Sequence, residues 1–300
     1  MIVATLNSDI SSAKLFSEEL NSKLITFEER VFPDGEVIVK LKDVKQLSEE
    51  AIIFYIKLYP FSNEKIIKLI QSLDILDDYI KSPNITLVIP YLPYSRQDKR
   101  FLDGEPISLK TLLRLFNIFN IKKLITIDRH STQKYQNSIN FPIINLSILK
   151  EIVKYAITKK TVNKNVVLVS PDKGGFKRVA EVASEFDLEY THLNKNRDRY
   201  TGQVTSSMID RELVRGRDVI VLDDIISTGN SLIETATILN QSGANTIIAG
   251  ASHLLLKKDA DRNLFNSGYS KIIGSNTIET KYSVIQIEKS IAESIDSYTL

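Results

Sequence analysis

Short apolar runs rich in isoleucine and valine recur along this chain, and the stretches between them are long enough for helices. The runs read as strands over residues 2–6, 51–56, 86–89, 123–127, 166–169, 218–222 and 246–251. Helical spacing of apolar residues predicts helices over 11–20, 63–80, 108–119, 147–159, 176–186 and 231–242. A strand that is apolar at nearly every position is buried on both faces. Such strands, with helices between them, belong to mainly parallel sheets, so the fold class is α/β.

The chain's 300 residues are enough for two domains, each able to bury its own core. The two halves look alike. Residues 86–90 and 166–171 are each a strand ending in proline, and residues 125–128 and 219–224 are each a strand ending in acid. The reading is two similar domains, 1–145 and 146–300. Hydrophobic residues at 43% and charged residues at 25% make a globular composition. The net charge of +2 supplies no broad positive field, so no nucleic-acid partner is expected and any anion site has to be local. The absence of cysteine excludes disulfides, thiolate metal sites and cysteine nucleophiles. No apolar run approaches the ~20 residues of a membrane span. Residues 1–5 read as a strand without the basic flank of a signal peptide, so a cytoplasmic location and no membrane contact are expected.

Six segments could carry chemistry. In the first, Val219-Ile220-Val221-Leu222 delivers Asp223 and Asp224 to a strand end, and Ile225-Ile226-Ser227-Thr228-Gly229-Asn230-Ser231 opens a helix. Such a turn aims backbone N–H groups and the positive end of a helix at one point, which favours an anion. Thr228 and Ser231 add hydroxyl donors, and Gly229 permits close approach. The two carboxylates suit sugar hydroxyls or a hydrated Mg²⁺; the same residues also suit an ordinary strand–turn–helix with Asp and Ser as caps. In the second, Pro90-Tyr91-Leu92-Pro93-Tyr94-Ser95-Arg96-Gln97 is a stiff aromatic turn that ends by offering a planar cation and an amide to a polyphosphate or a base. In the third, Asp128-Arg129-His130 puts Asp128 and His130 on one side of a strand end. The fourth is Val169-Ser170-Pro171-Asp172-Lys173-Gly174-Gly175-Phe176-Lys177-Arg178-Val179-Ala180, again a strand followed by a glycine turn and a helix start. The fifth, Phe32-Pro33-Asp34-Gly35-Glu36, is by composition only a turn. The sixth is Lys195-Asn196-Arg197, inside a polar stretch from residue 192 to 211 that reads as a solvated or mobile loop. His192 and His253 read as structural.

In order and spacing these segments resemble those of the ribose-phosphate pyrophosphokinases of the phosphoribosyltransferase-like superfamily, in their archaeal-type form. Residues 219–232 resemble the superfamily's ribose-phosphate loop; residues 90–101, continuing through Gly104-Glu105-Pro106, resemble the ATP-side signature that sets the pyrophosphokinases apart. The resemblance implies two phosphoribosyltransferase-like domains, the first serving ATP and subunit contacts and the second ribose 5-phosphate and a catalytic loop. It implies Lys195 and Arg197 as catalytic cations. It implies Phe32, Asp34, Glu36, Arg96, Gln97 and His130 around ATP, the first three reaching the adenine of a neighbouring subunit in a homodimer or larger assembly. It implies Asp223, Asp224, Ser227, Thr228, Gly229, Asn230 and Ser231 around ribose 5-phosphate, and Asp172, Lys173, Gly174 and Gly175 as a pyrophosphate loop. Mg²⁺ is the implied cofactor, with His130 and Asp172 as its protein donors. Arg129, Ser227 and Asn230 depart from residues common in the family at those places. A phosphoribosyltransferase would account for residues 219–232 but leave residues 90–101 and the first domain without a task. A non-catalytic homologue that binds nucleotide or phosphosugar would be expected to lack Lys195, Arg197 or His130, and all three are present. A glutamine-dependent amidotransferase of the same superfamily needs a cysteine that this chain does not have.

Overall fold

A computed structural model describes residues 1–47, 51–80, 84–130, 135, 138–197, 204–208 and 210–297; for 46, 195–197, 204–208 and 296–297 it describes the backbone alone. The chain is α/β and divides into two compact units, Met1–Leu146 with Ile287–Leu300, and Ser147–Gln286. Among the described residues, no helix is long and apolar enough to cross a membrane.

The first unit contains β1 (Ile2–Leu6), α1 (Ile10–Glu19), β2 (Lys23–Val31), β3 (Val37–Leu41), β4 (Ile52–Tyr55), α2 (Ser62–Tyr79), β5 (Ile85–Val88), α3 (Ser108–Phe116), β6 (Ile121–Ile127) and β7 (Ile143–Leu146). The strands form one sheet in the order β3-β2-β1-β4-β5-β6-β7, parallel except for β3. β1, β4 and β5 are buried at every position, which is why their sequences are apolar without alternation. One core cluster joins these strands to α2 and α3 through Phe27, Phe54, Leu69, Leu73, Leu113 and Phe116.

The second unit contains α4 (Leu149–Thr158), β8 (Val167–Ser170), α5 (Phe176–Phe186), β9 (Tyr190–Arg197), β10 (Val204–Met208), β11 (Val219–Ile226), α6 (Asn230–Gln241), β12 (Ile247–Leu254), α7 (Ala260–Asn266), β13 (Tyr269–Ser275) and β14 (Ser283–Ile285). Its sheet runs β10-β9-β8-β11-β12-β13-β14, with β10 antiparallel and the rest parallel. Position for position this is the order of the first sheet.

Three expectations change. The last helix, α8 (Glu288–Ser297), packs on α1 and belongs to the first unit, whereas the sequence division counted it with the second half. Its Glu288 is buried and accepts a hydrogen bond from the Tyr55 hydroxyl (3.3 Å), which anchors it there. The repeat is real, but its segments correspond differently. By strand order β8 matches β1, and β11 matches β4; the proline-ended β5 and the acid-ended β6 match β12 and β13. Residues 190–197 and 204–208 form two antiparallel strands where a polar loop was expected, with Lys195 paired to Ser206 and Arg197 to Val204 in backbone register.

Candidate functional site

In each sheet the parallel strands all end on one edge, and ligands of open α/β sheets bind outside that carboxyl edge, where the strand order reverses. In the second sheet the reversal falls between neighbouring strands β8 and β11. The turns after both carry the segments singled out by sequence.

After β8 the chain turns through Asp172–Gly175 into α5. The Asp172 carboxylate accepts from the backbone N–H groups of Gly174 (2.8 Å) and Gly175 (3.1 Å), so a negatively charged group already occupies the glycine turn. The Ser170 hydroxyl donates to the carbonyl of Asp172 (2.7 Å) and braces the turn from below. A Cβ on Gly175 would stand 2.6 Å from that hydroxyl, so a larger residue there would have to displace the brace. Lys173 is exposed.

β11 carries Asp223 half-buried and Asp224 buried to 2% exposure. The backbone N–H of Asp224 donates to the Asp223 carboxylate (2.9 Å). Burial pushes the Asp223 carboxyl well above the usual carboxylate range. The charge and hydrogen bond of Asp224 and the charge of Asp172 push it the same way, and Arg178 opposes them only in part. Arg178, in the first turn of α5, donates to the Asp224 carboxylate (2.9 Å). Asp172, Asp223, Asp224 and Arg178 are therefore one electrostatic cluster with more negative than positive charge. Beyond it, Ser227 is half-buried, Thr228 and Asn230 are exposed and Ser231 is half-buried. Gly229 is the N-cap of α6 in the left-handed region (φ 80°), which lets the helix open directly off the strand. Lys195 and Arg197 lie at the carboxyl end of β9, on the same edge of the sheet; their side chains are outside the described residues.

The first unit's candidates stand on three turns along the carboxyl edge of their own sheet. Phe32–Glu36 joins β2 to β3. It closes through Phe32 N–H to the Glu36 carbonyl (2.7 Å) and Gly35 N–H to the Phe32 carbonyl (2.9 Å), and Arg30 lies over the Phe32 ring at 4.7 Å. Asp34 and Glu36 are exposed at its tip. Arg96 and Gln97 follow β5: Arg96 is exposed, and the Gln97 amide donates to Glu105 (3.3 Å). The Glu105 carboxylate also accepts from the backbone of Phe101 (3.3 Å) and Leu102 (3.1 Å), so this one side chain organises the whole turn. His130 follows β6 and is exposed, while Asp128 before it is buried to 1%. Residues 131–134 of that segment lie outside the described residues.

Sequence assigned no role to Arg178, Ser170 or Glu105, although all three fall in segments it singled out. Arg178 left a signal, since a cation in the first turn of a helix opposes the helix dipole and needs a reason to be there. Ser170 and Glu105 left none, because a serine at a strand end and a glutamate in a turn are ordinary. His192 stacks on Phe176 with ring centres 4.4 Å apart, and His253 is buried with its Nδ1 2.9 Å from the Thr277 hydroxyl; both are built into the packing.

Comparison with known proteins follows these landmarks. Residues 1–119 match the N-terminal domain of ribose phosphate pyrophosphokinase, and residues 144–287 match the phosphoribosyl transferase domain. The chain is 33% identical over 282 residues to a ribose-phosphate pyrophosphokinase of Sulfolobus acidocaldarius, covering 93% of this chain and 94% of that one. It is 32% identical over 299 residues to a ribose-phosphate pyrophosphokinase of Methanopyrus kandleri, covering 99% of both. The crystal structure of phosphoribosylpyrophosphate synthetase from Mycobacterium smegmatis has the same fold, with a TM-score of 0.84 at 22% identity over 99% of this chain and 98% of that one. Both units, in one order and over the full length of these relatives, place this chain in the ribose-phosphate pyrophosphokinase family.

Proposed function

We propose that this chain is a ribose-phosphate diphosphokinase. It transfers the β,γ-diphosphate of Mg-ATP to the anomeric hydroxyl of ribose 5-phosphate, giving phosphoribosyl pyrophosphate and AMP. The observation that carries the reading is the pair of turns at the β8–β11 reversal. One is a glycine turn whose N–H groups already hold a carboxylate. The other is a glycine-capped helix start beside two acids. A diphosphate in the first and a 5-phosphate in the second bring the two ends of one phosphoribosyl diphosphate to adjacent strands.

In the step itself the anomeric oxygen bonds to the β-phosphorus in line. The bond from that phosphorus to the oxygen bridging it to the α-phosphorus breaks, and AMP leaves with that oxygen. Asp223 and Asp224 orient the sugar hydroxyls, and the first turn of α6 with Thr228 and Ser231 receives the 5-phosphate. Diphosphate entering the glycine turn displaces the Asp172 carboxylate from the N–H groups of Gly174 and Gly175 and frees it for metal or sugar. Lys195 and Arg197 stabilise the charge that develops around the transferring group. Arg96, Gln97 and His130 serve ATP.

Mg²⁺ takes few protein ligands, usually one or two carboxylates together with substrate phosphates. The candidate donors are the Asp172 carboxylate in the second unit and the His130 imidazole in the first, each acting with substrate phosphates. When bound, the ion neutralises phosphate charge.

Phe32, Asp34 and Glu36 are proposed to complete the adenine site of a second copy, which makes a homodimer the smallest active form. The exposure of Asp34 and Glu36 on the turn between β2 and β3 supports this, with Phe32 half-buried beside them. The test is release of AMP from ATP dependent on ribose 5-phosphate, measured with light scattering on the same sample. No sugar-dependent AMP would overturn the activity, and a fully active monomer would overturn the shared site.

A further inference from the structure

We infer that Arg178 is a positioning residue for the sugar site: it fixes the Asp224 carboxylate where the hydroxyls of ribose 5-phosphate arrive, and so ties the diphosphate turn to the strand that holds the sugar. The inference rests on the activity proposed above and assigns a role within it to a residue for which the sequence reading named none.

Three observations on the page carry it. The Arg178 Nη2 is 2.9 Å from Asp224 Oδ1, and the two side chains are 21% and 3% exposed, so the pair is largely shielded from water. A carboxylate that deep has to be paired to stay ionised. The same Nη2 lies 3.9 Å from the place a Cβ on Gly175 would occupy, so the guanidinium spans from the acid to the edge of the glycine turn. Finally, Arg178 sits in the first turn of α5, where the helix dipole repels a cation. Arginine suits this place better than lysine because its planar fork fixes the direction of the acid as well as its charge. With Arg178 on Asp224, the second acid of the pair is held in one orientation. Asp223 is left with the crowding of its neighbours, which incoming sugar hydroxyls would relieve.

A direct contact between Arg178 and the diphosphate would make a different prediction, and kinetics separates the two. For Arg178→Met, the Michaelis constant for ribose 5-phosphate is expected to rise about tenfold or more, with that for ATP within about twofold. Calorimetric binding of ribose 5-phosphate should weaken by the same factor. Asp224→Asn should raise the sugar constant comparably, and the double variant should be no worse than Asp224→Asn alone, because Arg178 acts through that acid. Arg178→Lys should recover part of the loss. The inference is overturned if Arg178→Met leaves the sugar constant unchanged, if the constant for ATP rises instead, or if the two substitutions add. Should Arg178→Met fail to fold, the same cycle built on Arg178→Lys decides by the same criteria. A wild-type chain that binds no ribose 5-phosphate and forms no AMP would remove the proposed activity, and this role with it. An active wild type with an unaffected variant removes this role alone.

Discussion

The two units share one strand order, yet their equivalent switch points are filled in opposite ways. In the first sheet the reversal falls between β1 and β4. There Asp9, after β1, accepts from the Lys65 ammonium (2.9 Å) and from the backbone N–H of Lys57 (2.9 Å), while Lys57 itself donates to Ser12 (2.6 Å). Burial raises the Asp9 carboxyl, and the two lysines pull it back. In the second sheet the matching place holds Asp172, Asp223 and Asp224 against Arg178, and Asp223 stays well above its ordinary value. The helix that follows starts on a left-handed residue in both units, Phe61 before α2 and Gly229 before α6. The first switch point is closed by its own lysines. The second keeps surplus negative charge and a bare N-cap, which suits hydroxyls, a cation and a phosphate. One topology thus carries two differently filled switch points, and the side chains at two turns make the difference.

The largest effect should come from opening the closed switch point. Lys65 and Asp9 are 10% and 6% exposed, and removing one partner of a buried pair leaves the other charge stranded. Lys65→Met should cost about 3–5 kcal/mol of folding stability. Denaturant titration checks it, and a loss below about 1 kcal/mol would mean that the network is not what holds this turn. Next in size are the cations at the end of β9. Lys195→Ala and Arg197→Ala should each raise the barrier by about 3–4 kcal/mol, roughly a hundred- to thousandfold in turnover, with ATP binding nearly intact. Turnover within about threefold of wild type in both would refute their catalytic role.

The bare N-cap is the third lever. A Cβ on Gly229 would stand 3.3 Å from Leu264 Cγ and Cδ2, and φ is +80°, so Gly229→Val meets both a neighbour and a disfavoured backbone. Strain of about 1–3 kcal/mol is expected, with a sharp rise in the Michaelis constant for ribose 5-phosphate and a smaller change for ATP. An unchanged sugar constant would move the 5-phosphate away from this turn.

Why some of this was legible in sequence and some not follows from burial. β1, β4, β5, β8 and β12 are buried at every position and β11 at all but Asp223, so their mostly apolar residues stand out as runs. β2 and β3 form an antiparallel edge with one face open, and their polar positions, as in KLITFEERV, break the run. β9 and β10, also an antiparallel edge pair, have polar sequences and so form no apolar run. α8 is short and charged, and nothing local tells that it returns to the first unit. The acid and glycine segments were legible because turns at strand ends demand particular residues. Of the braces beneath them, Arg178 acts across 46 positions to Asp224, which no local pattern encodes, whereas Ser170 and Glu105 act within their own turns and go unseen because serine and glutamate are ordinary there. The unlike filling of the two switch points was hidden too, because the correspondence of strands emerges only from the sheet order.

Surplus charge should also be readable as instability. The folded chain holds the Asp223 proton more tightly than the unfolded chain does. Stability from that proton is complete below the ordinary carboxylate value of about 4 and is lost as pH rises through the raised one. Asn in place of Asp223 carries no such proton. In metal-free buffer, Asp223→Asn should be more stable than wild type at neutral pH by about 0.5–2 kcal/mol, and the two should converge in acid. Binding of ribose 5-phosphate should fall in the same variant. Equal thermal midpoints at neutral pH would show that Asp223 is not crowded.

The smallest effect should come from the first unit's N-cap. Phe61 is 73% exposed, so its ring contributes little packing, and it holds φ 63° at some cost because it carries a Cβ. Phe61→Gly relieves that strain but gives the unfolded chain more freedom, and the two effects oppose each other. The net change should stay within about 0.5 kcal/mol, with turnover and both Michaelis constants within about twofold. The matched substitution at the other N-cap, Gly229→Val, is expected to be the damaging one. If Phe61→Gly instead raised the constant for either substrate severalfold, the first switch point would be part of the working site, and the division between a closed half and an open half would fail.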